Sequence, residues 1–309
     1  MIYRTLGNTG LQVSILSYGA SPLGSVFRAI DESEGIRTVH TAIDGGVNLI
    51  DCSPYYGITK AETVLGKALR EIPRDHYYLA TKAGRYGDAE FDFSPSRIER
   101  SLGESQRRLG VDHVDIFQLH DIEFGDLEQV IEESLPLLAR LKEQGRIGWY
   151  GVTGLPLRIF REVLARHPVD TILSYCRYTL NDTSLAALLP DLAAAGVGVI
   201  NASATGMGLF NPQGAPAWHP APAPIRNAAA EVVALCTRRG ASATRLALQF
   251  AVAEPGIHST LVGTASASNM RANLSCVGEP PDPELLAAAQ RLLEPVRNAT
   301  WPSGRIENN

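Results

Sequence analysis

Cysteine is scarce. The chain has four in 309 residues: Cys52, Cys176, Cys236 and Cys276. They are scattered, form no CxxC pair and have no histidine at ligand spacing. That argues against zinc and fits a reducing compartment, so no metal site and a cytoplasmic location are expected. No run of about 18 consecutive apolar residues occurs, and no membrane span is expected. The opening MIYRTLGNTG lacks the apolar centre of a signal peptide. Positive charge is not in excess either. Lys and Arg total 28 against 33 Asp and Glu, a net charge of −5. Nucleic acid and anionic membranes are therefore poor candidates for the main partner. With 45% hydrophobic and 20% charged residues the composition is that of a globular protein. A chain of this length buries a large core unaided, and one α/β barrel can use all of it. A single domain over 1–309 is the expectation.

What the chain does have is alternation. Short β-branched runs at 15–18, 47–51, 78–81, 115–120, 147–152, 170–175, 198–202 and 259–263 are mostly apolar on both faces, as buried parallel strands are. Helical patterns follow them at 34–44, 61–69, 95–109, 127–144, 157–165, 184–195, 225–239 and 266–274. Ser94-Pro95 reads as a helix start, and Gly110 and Gly145 as left-handed helix ends. Eight strand–helix units predict a (β/α)8 TIM barrel. The rival doubly wound sheet needs a phosphate loop after its first strand, and GASPLG at 19–24 is not GxGxxG. Three segments exceed the repeats. Residues 1–13 read as an N-terminal β-hairpin, and 242–253 and 283–298 as extra C-terminal helices. Between 207 and 225 runs a loop with Pro212, Pro216, Pro220, Pro222 and Pro224, of the kind that shapes a ligand site.

Active sites of such barrels form at the C-terminal strand ends. Strand two ends in Asp51, with Tyr56 just beyond. Strand three leads into Lys82, and strand four ends in His120. Singly, each has an ordinary explanation: a helix cap, a packed ring, a solvated lysine, a hydrogen-bonded histidine. Together, at the ends of three successive strands, they make a proton-transfer set. Tyrosine, with a pKa of about 10, exchanges protons poorly at neutral pH. A neighbouring Lys82 ammonium is expected to lower that value, with Asp51 orienting the lysine. His120 can donate a hydrogen bond to a substrate oxygen. The set suits interconversion of an alcohol and a carbonyl, and it lacks a hydride source, which implies a nicotinamide cofactor.

These residues, their order and the start YRTLGNTGLQVS resemble the aldo-keto reductase superfamily over nearly the whole chain. The resemblance implies a (β/α)8 barrel and catalytic roles for Asp51, Tyr56, Lys82 and His120. The segments LSYCRYTLND, NASATGMGLF, WHPAPAPIRNAA and ATWPSG further resemble the branch that oxidises the anomeric carbon of L-galactose, L-fucose and related aldoses to lactones. By resemblance, cofactor contacts fall on Ala20, Thr153, Ser174, Tyr175, Ser203, Thr205, Met207, Gly208, Leu209, Gly263, Thr264, Asn269 and Asn273. Several positions depart from the family. Thr153-Gly154 stands for a Ser-Asn pair, Ser174-Tyr175 for a strand-six Gln, and Ala202 for a stacking Tyr. Where NADP-preferring relatives carry cations for the 2′-phosphate, this chain has Gly263 and Asn269, and Arg271 faces elsewhere. NAD is therefore the expected cofactor, with NADP the alternative.

A sugar pocket needs an aromatic platform and hydrogen-bonding groups, and Trp218, His219 and Trp301 are the candidates. An NAD-dependent aldose 1-dehydrogenase acting on a small-molecule sugar is the leading reading. The same four residues also serve a carbonyl reductase, and a cofactor-sensing regulatory subunit of the same fold is a third. The particular aldose and the oligomeric state are not read from the sequence.

Overall fold

The structure, a computed structural model, describes every residue except Phe27. Two short strands open the chain, β1 (Tyr3–Thr5) and β2 (Gln12–Ser14), paired antiparallel with Arg4 opposite Val13. Eight parallel strands follow: β3 (Leu16–Gly19), β4 (Leu49–Asp51), β5 (Tyr78–Ala83), β6 (Val114–Leu119), β7 (Ile147–Gly154), β8 (Thr171–Tyr175), β9 (Gly198–Ala202) and β10 (Ser259–Val262). They close into a barrel in chain order, with β10 pairing both β9 and β3. This is the expected (β/α)8 barrel with its N-terminal hairpin.

Helices α1 (Glu32–Asp44), α2 (Lys60–Leu69) and α3 (Pro95–Leu109) cover the first half of the ring. The predicted helix over 127–144 is divided. It runs as α4 (Leu127–Gln129), a wide π turn over Val130–Ser134, and α5 (Leu135–Glu143). Pro136 accounts for the break. It has no N–H to donate and its ring crowds the preceding turn, which the extra residue of a π turn relieves. Next come α6 (Leu157–Arg166) and α7 (Leu189–Ala194). The latter is shorter than expected because residues 184–188 form a 3-10 turn, leaving Pro190 in the first α-helical turn where a missing N–H costs nothing. The ring is completed by α8 (Ala223–Arg238), α9 (Ala243–Ala253), α10 (Ala267–Leu274) and α11 (Pro283–Leu293).

The barrel interior explains where the chemistry sits. Strand side chains alternate faces with period two. Leu49, Ala80, Ile116, Leu173, Ile200 and Leu261 meet inside the barrel, and Leu6 and Val13 of the hairpin region close its lower end. Two residues further along β4 and β5, the same face carries Asp51 and Lys82. Four residues beyond Ile116 it carries His120. The expected set therefore stacks directly on the apolar plug. Arg4 clasps the hairpin to the barrel by donating to the carbonyls of Val252, Glu254 and Ile257. A second apolar cluster lies outside the barrel, where α8, α9 and α11 meet the 209–210 segment and Trp301. No helix among the described residues is long and apolar enough to cross a membrane.

Candidate active site

Lys82 is the hub. Its Nζ donates to Asp51 Oδ1 at 2.5 Å, to the Cys52 carbonyl at 2.8 Å and to Tyr56 Oη at 3.4 Å. Lys82 and Asp51 are both buried. Burial pushes the Asp51 carboxyl up while the Lys82 charge and hydrogen bond pull it back, and burial is the larger effect.

Tyr56 stands on a turn after β4 whose residues Gly57, Ile58 and Thr59 all have left-handed backbones, with φ of 63°, 50° and 71°. A β-branched residue in that region is strained, and strain of this kind gathers at functional sites. The turn is locked from two sides. Gly57 and Gly24 touch backbone to backbone, so that a Cβ on Gly57 would lie 2.0 Å from the Gly24 carbonyl oxygen. Only glycine fits either position. The following helix is tied to the lysine strand by Glu62, whose carboxylate accepts from Thr81 at 2.6 Å and from Arg108 at 2.7 Å.

The expected lowering of the Tyr56 pKa by Lys82 is overturned. Tyr56 is raised well above its ordinary value, first by burial and then by the negative charges of Asp51 and Asp121. The lysine charge is already engaged by Asp51, and an apolar site penalises the phenolate more than the remaining attraction favours it.

His120 is anchored through one ring nitrogen. Its Nδ1 lies 2.8 Å from Ser53 Oγ, which itself accepts from the Tyr55 N–H at 3.1 Å. With the serine proton given to Nδ1, Nε2 carries the ring proton and is the donor. Burial pushes the His120 pKa down to about 3, so the ring is neutral. Its face meets Tyr56 edge-on, with ring centroids 5.4 Å apart.

Sequence reasoning missed the residues just beyond this set. Asp121 follows His120 with a left-handed backbone, φ 51°. Its carboxylate accepts from Thr153 at 3.0 Å and from Arg85 at 2.6 Å, and Oδ2 lies 3.6 Å from His120 Nε2. Thr153 also accepts the Asp121 N–H at 2.8 Å, so the hydroxyl assigned by resemblance to the cofactor is engaged by Asp121. Arg85 lies over the Tyr55 ring at 3.8 Å. The available signal was proximity: an Asp directly after the strand-end His, and an Arg three residues after the Lys.

Glu123 was also missed. It is fully buried, and its Oε1 accepts from Tyr175 Oη, Ser303 Oγ and the Leu155 N–H at 3.0, 3.0 and 3.1 Å. Its carbonyl takes the Arg305 N–H and Asn308 Nδ2, both at 2.9 Å. Gly304, at φ 76°, passes so close that a Cβ would lie 2.3 Å from that carbonyl oxygen. The 301–309 segment is thereby fastened to the loop that follows His120. Burial, with Asp121 nearby, raises Glu123 from 4.5 to about 8. A raised acid holds its proton when folded and loses it when unfolded, so its contribution to stability falls as pH rises between those two values. Glu123→Gln should match the parent chain in acid, gain on it progressively through that window and level off above it. Urea unfolding across a pH series checks this, and a difference independent of pH would show that Glu123 is ionised in the fold.

The remaining expected residues lie on the other half of the mouth. Ser174 Oγ, at the end of β8, is buried without a hydrogen-bond partner. Tyr175 beside it is held by Glu123. After β9, Ser203, Gly206, Met207 and Gly208 are left-handed, in a segment that includes Thr205 and runs on to the buried Leu209. Backbone of this kind turns N–H groups toward anions. Gly263 follows β10, and Tyr18 Oη donates to the Thr264 carbonyl at 2.8 Å. Asn269 is exposed on the first turn of α10 and Asn273 is buried on its last. Ala20, beyond β3, is buried, and its N–H bonds the Asp51 carbonyl. The free hydroxyl of Ser174 and the left-handed 203–208 loop, at the ends of β8 and β9, fit a nicotinamide dinucleotide.

The aromatic candidates are placed differently from one another. Trp218 is half exposed at 51%, whereas Trp301 is buried in the outer apolar cluster. His219 lies between them, edge-on to Trp301 at 5.1 Å and stacked on Trp218 at 6.2 Å. Both of its ring nitrogens bond backbone: Nε2 to the Gly206 carbonyl at 2.9 Å, and Nδ1 to the Ala221 N–H at 3.0 Å. It braces the proline-rich loop against the 203–209 segment.

A closed (β/α)8 barrel with Asp51, Tyr56, Lys82 and His120 gathered at its mouth is the arrangement expected of an NAD(P)-dependent oxidoreductase, and the family match makes it one. The Aldo/keto reductase family matches residues 15–294, and the chain belongs to that family. It is 48% identical to L-galactose dehydrogenase of Arabidopsis thaliana, over 99% of this chain and 98% of that protein. It is 27% identical to D-threo-aldose 1-dehydrogenase of Pseudomonas sp., over 85% and 89%. Among solved structures, an aldo-keto reductase from Bacillus halodurans in its holo form superposes with a TM-score of 0.80 at 25% identity, covering 98% of both chains.

Proposed function

We propose that this protein oxidises the anomeric carbon of an L-galactose- or L-fucose-type aldose to the lactone, with NAD as cofactor. The observation that carries the reading is the 48% identity to L-galactose dehydrogenase across 99% of the chain. The bound cofactor would supply the hydride acceptor. The chain's own residues handle the proton. Tyr56 Oη and His120 Nε2–H hold the anomeric oxygen, and the hydroxyl proton passes to Tyr56 Oη, which Lys82 contacts. Because Tyr56 is raised, its basic form is scarce at neutral pH, and oxidation should quicken as pH rises through the alkaline range. The protonated phenol is equally ready to act as an acid, which is the observation that favours carbonyl reduction as a second reading. Absorbance at the nicotinamide band with NAD and L-galactose, L-fucose, D-arabinose or D-glucose tests the proposal. Reduction of aldehydes without oxidation of any of these sugars would overturn it.

NAD rather than NADP is supported by Glu34. Its Oε1 accepts the Ala267 N–H at 2.9 Å at the start of α10, and Arg37 bonds its other oxygen at 2.6 Å. These bonds hold its carboxyl below the ordinary range, so a carboxylate, paired with Arg37, occupies the N-terminus of the helix that carries Asn269. A second anion there meets repulsion where relatives offer cations. Glu34→Gln combined with Asn269→Arg should shift the NADP:NAD ratio of catalytic efficiencies by about tenfold or more, the scale of one charged hydrogen bond. The parent chain preferring NADP would show that this segment does not set the choice.

A further inference from the structure

The proton-transfer set accounts for one substrate oxygen. It leaves unexplained a second polar pair at the same place. Asp121 Oδ2 lies 3.6 Å from His120 Nε2, the nitrogen that faces the reacting oxygen. Arg85 holds that carboxylate at 2.6 Å, and the Thr153 hydroxyl fixes its other oxygen at 3.0 Å. The side chains of Arg85 and Asp121 are 15% and 8% exposed. Arg85 Nε is buried with no hydrogen-bond partner. The guanidinium is enclosed by the rings of Tyr55, Phe91 and Phe124, 3.8, 5.4 and 4.9 Å from their centroids, which fixes it behind Asp121.

A purely structural ion pair would explain the 2.6 Å contact. It would not explain an acceptor placed beside the one nitrogen assigned to the reaction. A donor from His120 and an acceptor from Asp121, less than 4 Å apart, match two oxygens on neighbouring carbons: one that is losing or gaining its proton, and one that stays a hydroxyl. The hydroxyl donates to the carboxylate, which Arg85 holds in position. Asp121 is suited to this, since Arg85 and the Thr153 hydroxyl hold its two oxygens in place.

We propose that Arg85 and Asp121 form a specificity subsite that grips the hydroxyl on the carbon adjacent to the reacting one, so that the enzyme selects 2-hydroxy carbonyl compounds and the sugars derived from them. The assignment deepens the aldose reading, yet it concerns a feature that simpler substrates share.

The test compares substrates that differ only in that hydroxyl. L-Galactose is set against its 2-deoxy counterpart in oxidation, and glycolaldehyde against acetaldehyde in reduction. The parent chain should favour the hydroxylated member by about 10- to 100-fold in kcat/KM, the scale of a hydrogen bond to a charged group. Asp121→Asn should bring that ratio to within a few-fold of one, while cofactor affinity, read by fluorescence quenching, stays unchanged. Arg85→Lys keeps a positive charge beside Asp121 but loses the stacked guanidinium that positions the carboxylate, and should reduce the ratio in part. It also serves should Asp121→Asn fail to fold. Equal losses on both members of each pair would overturn the proposal, because they signify a structural role only. Should no aldose be oxidised, the sugar reading fails alone. The glycolaldehyde:acetaldehyde ratio still decides this one, and a parent ratio near one overturns it.

Discussion

Tyr56→Phe is expected to lose about 100- to 10,000-fold in turnover, the usual share of general acid–base catalysis, while binding the cofactor as the parent does. The substitution removes one oxygen from a partly buried ring and leaves the turn that carries it intact. That turn is held by Gly24, Gly57 and the Glu62 contacts, none of which involves the phenol. The loss should therefore fall on kcat, with little change in cofactor affinity. Turnover near that of the parent, in either direction of the reaction, would remove Tyr56 from the chemistry.

The second large effect is on stability. Lys82→Met leaves Asp51 buried and unpaired, with one of its oxygens already lacking a partner. Breaking a buried ion pair from one side costs about 3–5 kcal/mol. The orphaned carboxyl answers by binding a proton, so its folded pKa rises further above the unfolded one. The deficit should accordingly shrink as pH is lowered toward the unfolded value. Adding Asp51→Asn should recover part of the loss. Urea unfolding at neutral pH and in mild acid measures all three variants. A single variant as stable as the parent would mean that Asp51 is already protonated beside Lys82.

The barrel and the Asp51, Lys82 and His120 positions were legible because they obey a short-range rule. Alternation along a strand states which residues face inward, and strand ends state which of those reach the mouth. Pro136 carried a similar local signal, which the reading of one helix over 127–144 passed over. Tyr56 was legible as a residue but not in its acidity. A pairwise argument saw one lysine near one phenol. Asp51 was already paired with the lysine in that argument; the fold adds the charge of Asp121 and removes water from the phenol. Glu123 and the Arg85–Asp121 pair were illegible for a different reason. Each is defined by partners far away in sequence, with Ser303 lying 180 residues from Glu123. His219 resembles a ligand-binding group in sequence, and only the folded loop reveals that backbone takes both its nitrogens.

The closed ring has a consequence for how the chain comes to be folded at all. β3 is the first barrel strand and β10 the last, and Ser17 and Ser259, which bond at 2.5 Å, stand 242 residues apart. During synthesis one edge of the growing sheet waits for nearly the whole chain before its neighbour exists. Contacts of such long range are entropically slow to form, and unpaired edges invite association with other chains. The Arg4 clasp spans a similar interval, 248 residues to Val252, and is in place only after the α9 segment arrives. Barrel closure and the clasp thus belong to one late event. The interval before it is when the chain is most exposed to misassembly and most dependent on assistance.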